Sequence, residues 1–137
     1  MGVRRLRVPG RYDQLDRISD FVGGAAKDAG LDAKAVFHCQ LATDEACTNI
    51  IEHGYGGEGR GEISITCQIQ SGRIMIELQD SAGPFDPTSV PSPNVTAGLD
   101  ERSGGGYGIH FIRQVMDQVE YRALGRGNLL RLVKVRR

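Results

Sequence analysis

The sequence carries no net charge: Lys and Arg together number 17, and so do Asp and Glu. That balance removes the electrostatic argument for nucleic acid as the main partner. No apolar run approaches the roughly 20 residues that span a bilayer, and no signal-peptide pattern opens the chain. Cysteine is scarce. Cys39, Cys47 and Cys67 are odd in number, lack C-x-x-C metal-ligand spacing, and each falls inside an apolar pattern. They predict buried, reduced thiols in a cytoplasmic protein without a membrane segment. What remains fits one globular domain over residues 1–137, because 39% hydrophobic and 25% charged residues can build a core and keep it dissolved. Glycine is plentiful at 19 and gathers around 54–61 and 104–108, both predicted loops.

One stretch organises the chain: Leu41-Ala42-Thr43-Asp44-Glu45-Ala46-Cys47-Thr48-Asn49-Ile50-Ile51-Glu52-His53-Gly54-Tyr55. Read as a helix, it sets Leu41, Glu45, Asn49 and His53 in one row, each four residues after the last. A carboxylate there can take a proton, and a carboxamide oxygen is a neutral hard ligand for Mg²⁺. The plainer alternative is an amphipathic helix with a solvated polar face.

Val3, Leu6 and Val8 against Arg4, Arg5 and Arg7 predict a short edge strand, closed by Pro9-Gly10. Leu15, Ile18, Phe21, Val22, Ala25 and Ala29 recur at helical spacing, with Asp13 as a cap, Gly23-Gly24 as a weak point and Gly30 as a stop. Asp32 is the expected N-cap of the second helix, which ends in Gly54-Tyr55-Gly56-Gly57. Ile63, Ile65, Cys67 and Ile69, then Ser71-Gly72, then Ile74, Ile76 and Leu78, predict an antiparallel hairpin with one buried face. It runs into Asp80-Ser81-Ala82-Gly83-Pro84-Phe85-Asp86-Pro87. Residues 84–106 hold four prolines and little periodicity, which suggests a lid over a ligand or a surface insertion. Gly104-Gly105-Gly106-Tyr107-Gly108 opens a helix with Ile109, Phe111, Ile112, Val115 and Met116 on its apolar face. Val119, Tyr121 and Ala123, a turn at Gly125-Arg126-Gly127, and Leu130, Leu132 and Val135 close the chain as two strands. The order β-α-α-β-β-(lid)-α-β-β predicts a two-layer α/β sandwich (α+β), with a largely antiparallel sheet and its helices on one face.

Three separated segments share one chemistry. A carboxylate at the strand end, Asp80, can accept a hydrogen bond from the exocyclic amine of adenine, and Gly83 lets a flat base lie near the backbone. A helix start at Tyr107 can hold phosphates, and Asn49 the Mg²⁺ that bridges them. E-x-x-x-N, then D-x-x-G-x-F, then G-G-x-G before an amphipathic helix is a specific set. No Walker A pattern and no protein-kinase H-R-D set competes with it.

These segments resemble the N, G1 and G2 boxes of the GHKL ATPase superfamily. Within it the chain is similar to the small bacterial anti-sigma factor serine/threonine-protein kinases. The likeness rests on Glu45-Ala46-Cys47-Thr48-Asn49 with His53-Gly54-Tyr55, on the Asp80 to Pro87 segment, and on Gly105-Gly106-Tyr107-Gly108-Ile109-His110-Phe111-Ile112 ending in Met116-Asp117. The resemblance covers nearly the whole chain. It implies a Bergerat ATP-binding fold with an ATP lid. It implies transfer of the γ-phosphate of ATP to a serine of a STAS-type anti-anti-sigma protein, and a sigma factor as the partner whose binding depends on ATP or ADP. By position, Asn49 would coordinate Mg²⁺, Glu45 would be the general base, Asp80 would bind the adenine amine beside Gly83, and Gly104, Gly105, Gly106, Tyr107 and Gly108 would shape the phosphate loop. Arg102 would reach the γ-phosphate or stand as a solvated loop residue. His53 takes a packing or hydrogen-bonding role. The triple glycine and Tyr107, where the family more often has an aliphatic residue, depart from the pattern. A homodimer is implied, with the N-terminal strand as its candidate interface. A nucleotide-gated sigma-binding module with little kinase turnover stays open beside the enzyme, although it has no need of Glu45. A sensor histidine kinase fragment fits less well, because no phosphoacceptor hairpin precedes the ATP domain.

Overall fold

The computed structural model describes residues 2–84 and 106–137. Strand β1 (Gly2–Pro9) leads through a 3₁₀ turn (Tyr12–Gln14) into α1 (Leu15–Asp28). Helix α2 (Ala33–Asn49) follows and continues as a π-helical turn (Ile50–Gly54). Strands β2 (Glu62–Gln70) and β3 (Arg73–Asp80) form the hairpin, and α3 (Gly106–Val115), β4 (Gln118–Ala123) and β5 (Asn128–Val135) complete the chain. The sheet runs β1-β2-β3-β5-β4, and every pairing is antiparallel. The expected element order and two-layer sandwich are those observed. The expected lid falls outside the described residues, as do Arg102, Gly104 and Gly105.

Alternation decides which face is covered. Ile63, Ile65, Cys67 and Ile69 on β2, and Ile74, Ile76 and Leu78 on β3, are buried under the helices. Each such side chain contributes about 1.5–3 kcal/mol when fully buried. The other face is mixed: Met75 pairs with the buried Val133, and beside them Arg131 donates from Nε and Nη2 to Glu77 Oε2 at 3.1 and 2.9 Å across β5 and β3. On β1 the inward row is Arg4, Leu6 and Val8, so Val3 falls on the other parity and is 50% exposed rather than joining the apolar side. Arg4 reaches Asp28 of α1 instead.

Helix α1 differs from expectation in two ways. Asp13 caps nothing: the chain winds a 3₁₀ turn before Leu15, and Asp13 accepts from Arg11 at 2.8 Å. Gly23-Gly24 does not interrupt the helix. A Cβ on Gly23 would stand 2.4 Å from Gln40 Nε2 of α2, whose amide donates to the Ser19 carbonyl at 3.1 Å. The glycine lets the two helices close over that bond. Asp32 caps α2 as expected, accepting from the Ala35 N–H at 2.8 Å. All three cysteines are buried and unpaired; burial pushes the Cys39 and Cys67 thiols up to about 12 and raises Cys47 as well.

Candidate functional site

The inward rows of β3 and β5 end in polar residues at one end of the sheet, and β4 adds a polar group one step inside. On β3 the row Ile74, Ile76, Leu78 continues to Asp80, which is 6% exposed. On β5 the row Leu132, Leu130 runs back to Asn128, 3% exposed and paired with Asp80 in the ladder. On β4 the half-buried Tyr121 lies opposite Leu130. A carboxylate placed there must be hydrogen-bonded to be tolerated. Asp80 Oδ1 accepts from the Ala82 N–H and from Asn128 Nδ2, both at 2.9 Å. Asn128 Nδ2 also donates to the Gly83 carbonyl at 3.0 Å, and Asn128 Oδ1 accepts from the Tyr121 hydroxyl. Both bonds to Asp80 fall on Oδ1. Among the described residues, no donor reaches Oδ2. The space where a Gly83 side chain would stand is open to 4 Å.

The C-terminal end of α2 covers these rows. Ala46, Asn49, Ile50, Asp80, Tyr121, Asn128 and Leu130 line a small shared pocket. Asn49 is 5% exposed, yet among the described residues no hydrogen bond reaches its carboxamide. One turn earlier, Glu45 is half-buried. Burial first, then the charges of Asp44 and Glu52, raise its carboxyl above the ordinary range. Asp44 is raised too, by burial and by Asp16. The α-helix gives way to the π turn directly after Asn49, so the row ends there: Leu41 and Glu45 are half-buried, Asn49 buried, and His53 exposed. Gly106, Tyr107 and Gly108 form the first turn of α3.

A second constraint sits beside the pocket, and the sequence did not signal it. The Tyr55 hydroxyl donates to the Glu62 carbonyl at 2.6 Å and accepts from the Ser81 N–H at 2.9 Å. Its ring lies where a Cβ on Gly61 would be, 2.3 Å from Cε1. Tyr55 therefore ties the end of α2 to both strands of the hairpin, next to Asp80. Asn128 was also missed, although a polar residue on the inward row of Leu130 and Leu132 was a readable signal. A larger cavity of about 360 Å³ lies at the opposite end of α2, lined by Asp32, Lys34, His38, Lys134, Arg136 and Arg137. Its groups are mostly cationic, its one carboxylate, Asp32, is engaged as the cap of α2, and it has no carboxamide.

A single helical layer on an antiparallel sheet, with a carboxylate and a carboxamide meeting under a helix end, is the architecture of the Bergerat ATP-binding fold. The chain belongs to the histidine kinase-like ATPase domain family, whose match runs over residues 8–134. It is similar to the serine-protein kinase RsbW of Bacillus pumilus (strain SAFR-032), 27% identical over 124 residues, 86% of this chain and 76% of the relative. The Bacillus subtilis (strain 168) protein of the same name is 27% identical over 120 residues, 83% and 74% of the two chains. That of Listeria monocytogenes serotype 4b (strain F2365) is 28% identical over 121 residues, 84% and 76%. The fold is similar to a crystal structure of RsbU and RsbW domains from Mycobacterium tuberculosis, with a TM-score of 0.66 and 12% identity over 100% of this chain and 34% of that one. It is also similar to the catalytic domain of histidine kinase ThkA, with a TM-score of 0.58 and 11% identity over 99% and 97%. Among the described residues, no helix is long and apolar enough to cross a membrane.

Proposed function

We propose that the chain is an ATP-dependent serine-protein kinase and anti-sigma factor. In this reading it phosphorylates a STAS-type anti-anti-sigma partner and holds a sigma factor in a nucleotide-dependent way. The observation that carries the reading is the pocket itself. A buried carboxylate with one oxygen already bonded and the other unengaged suits an exocyclic amine, a donor pair that guanine does not offer at that edge. A buried carboxamide without a hydrogen-bond partner among the described residues suits an oxygen-seeking cation. Asp80 and Asn49 thus fit ATP and Mg²⁺. The bound nucleotide supplies the phosphoryl group, and Mg²⁺ would screen its charge.

This chain's own residues do the rest. Asp80 orients the base, Gly83 leaves room beside it, and the first turn of α3 at Gly106, Tyr107 and Gly108 offers backbone N–H groups to phosphate oxygens. Arg102, Gly104 and Gly105 belong to the same proposed phosphate loop. Glu45 takes the proton from the attacking serine hydroxyl. A carboxyl raised by burial is a better base than a solvated one. The relatives named serine-protein kinase RsbW support phosphoryl transfer to a serine, and the sigma-factor and STAS partners rest on the resemblance of the motifs. A homodimer through the open edge of β1 belongs to the same reading.

The test is calorimetry with ATP and ADP, with and without Mg²⁺, followed by γ-labelled ATP and a candidate STAS protein. Expected are Mg²⁺-dependent binding and serine labelling, binding retained but labelling lost in Glu45→Gln, and binding weakened in Asp80→Asn. Labelling by Glu45→Gln at the wild-type rate would remove Glu45 from the chemistry.

A further inference from the structure

Asp80 can recognise an amine only if its carboxylate plane is turned so that a free oxygen faces the pocket. The two oxygens of a carboxylate are equivalent, so what must be fixed is the rotation about its Cβ–Cγ bond, whereas a carboxamide beside it can present either its oxygen or its nitrogen. In this protein the ambiguity is resolved by a third residue. Asn128 Nδ2 donates to Asp80 Oδ1 at 2.9 Å and to the Gly83 carbonyl at 3.0 Å, so the amide nitrogen spans two acceptors. The amide oxygen then points the other way, where the Tyr121 hydroxyl donates to it. Reversing the amide would set its oxygen against a carboxylate and a carbonyl and leave the Tyr121 hydroxyl facing an NH₂ group. Asp80 and Asn128 are both more than nine-tenths buried, so water cannot cheaply stand in for any of these bonds.

We infer that Tyr121 is a positioning residue for base selection: through Asn128 it holds Asp80 with Oδ1 engaged and Oδ2 directed at the nucleobase. Tyr121 lines the same pocket, on the strand beyond β5, at the sheet edge. The chain of bonds runs Tyr121, Asn128, Asp80, and then the exocyclic amine. Its effect falls on that amine contact and not on the phosphates. This inference rests on the reading of the pocket as an adenine-nucleotide site.

The distinguishing readout is a preference and not an affinity alone. ITP carries the same ribose and phosphates as ATP but has a carbonyl where adenine has its amine. Binding of ATP and ITP is measured by calorimetry on wild type and on Tyr121→Phe, with thermal melting to establish folding. The variant keeps the ring and loses the hydroxyl. The expected result is an ATP dissociation constant raised about fivefold, the worth of one hydrogen bond, with ITP nearly unchanged, so that the preference for ATP falls about fivefold. In an Asp80→Asn background the same substitution has no further effect on the preference. Equal losses for ATP and ITP, or an unchanged preference, would mean that Tyr121 only packs, and would overturn the inference. Should Tyr121→Phe fail to fold, Asn128→Leu reads the same relay, because it keeps a similar shape but has no group to donate to Asp80; a retained ATP preference there also overturns it. A wild-type protein that binds neither nucleotide overturns the nucleotide reading itself, and a wild type that binds both equally removes Asp80 from base selection.

Discussion

Gly127 stands so close to Asp80 that a Cβ on it would lie 1.8 Å from the Asp80 carbonyl oxygen, and its φ of +101° is one that side chains rarely adopt. The start of β5 can press onto the end of β3 only because that side chain is absent. Gly127→Ala should cost about 2–4 kcal/mol, combining strain with displacement of the strand end. Urea unfolding measures the loss. Nucleotide affinity should drop with it, because Asn128 is the next residue.

Tyr55 offers a milder test at the other side of the pocket. Tyr55→Phe keeps the ring over Gly61 and removes the bonds to Glu62 and Ser81. A loss of about 1 kcal/mol is expected for these partly exposed groups. A neutral result in denaturant unfolding would show that the ring alone carries the clasp.

Glu45 gives a pH signature. Its folded carboxyl is raised by burial and by Asp44 and Glu52, so the unfolded chain releases this proton first as pH rises. Below the unfolded value of about 4.3 both states are protonated and there is no penalty. Stability is lost as pH climbs through the raised folded value and stays lost above it. Glu45→Gln should therefore melt at a higher temperature than wild type at pH 8, with the difference vanishing toward ~pH 3. A difference that is constant with pH would assign the effect to packing.

Thr43 is fully buried in α2, and its hydroxyl, shut off from solvent, has no hydrogen-bond partner among the described residues. Thr43→Val replaces that orphan with a methyl group of similar size. Stability should rise by about 1 kcal/mol, a melting shift of about 3 °C. A lower melting point would show that the hydroxyl has a use in the folded protein.

The element order was legible because apolar residues recur at two clear periods. Ile63 to Leu78 alternate, whereas Leu15 to Ala29 repeat with helical spacing. The cap at Asp32 was legible for the same local reason. Asp13 was misread because a 3₁₀ turn and an α-helix start share the same short polar residues. Gly23 looked like a flaw because its reason, the side chain of Gln40, lies in another helix. Glu45, Asn49 and Asp80 stood out as motif residues, but Asn128 was hidden behind the turn at residues 125–127. Tyr55 could not be found locally, since its partners Glu62 and Ser81 matter only once the hairpin has closed.

The pocket's polar groups close apolar rows of the pleat, and this makes recognition a matter of parity. A slip of one residue would turn Gln79 inward in place of Asp80, Leu129 in place of Asn128, and Arg122 in place of Tyr121. No partial version of the pocket lies between the two registers. The same pleat that sorts isoleucine from glutamine in the core thus proofreads the site, and a mispaired sheet would have no base-binding end at all.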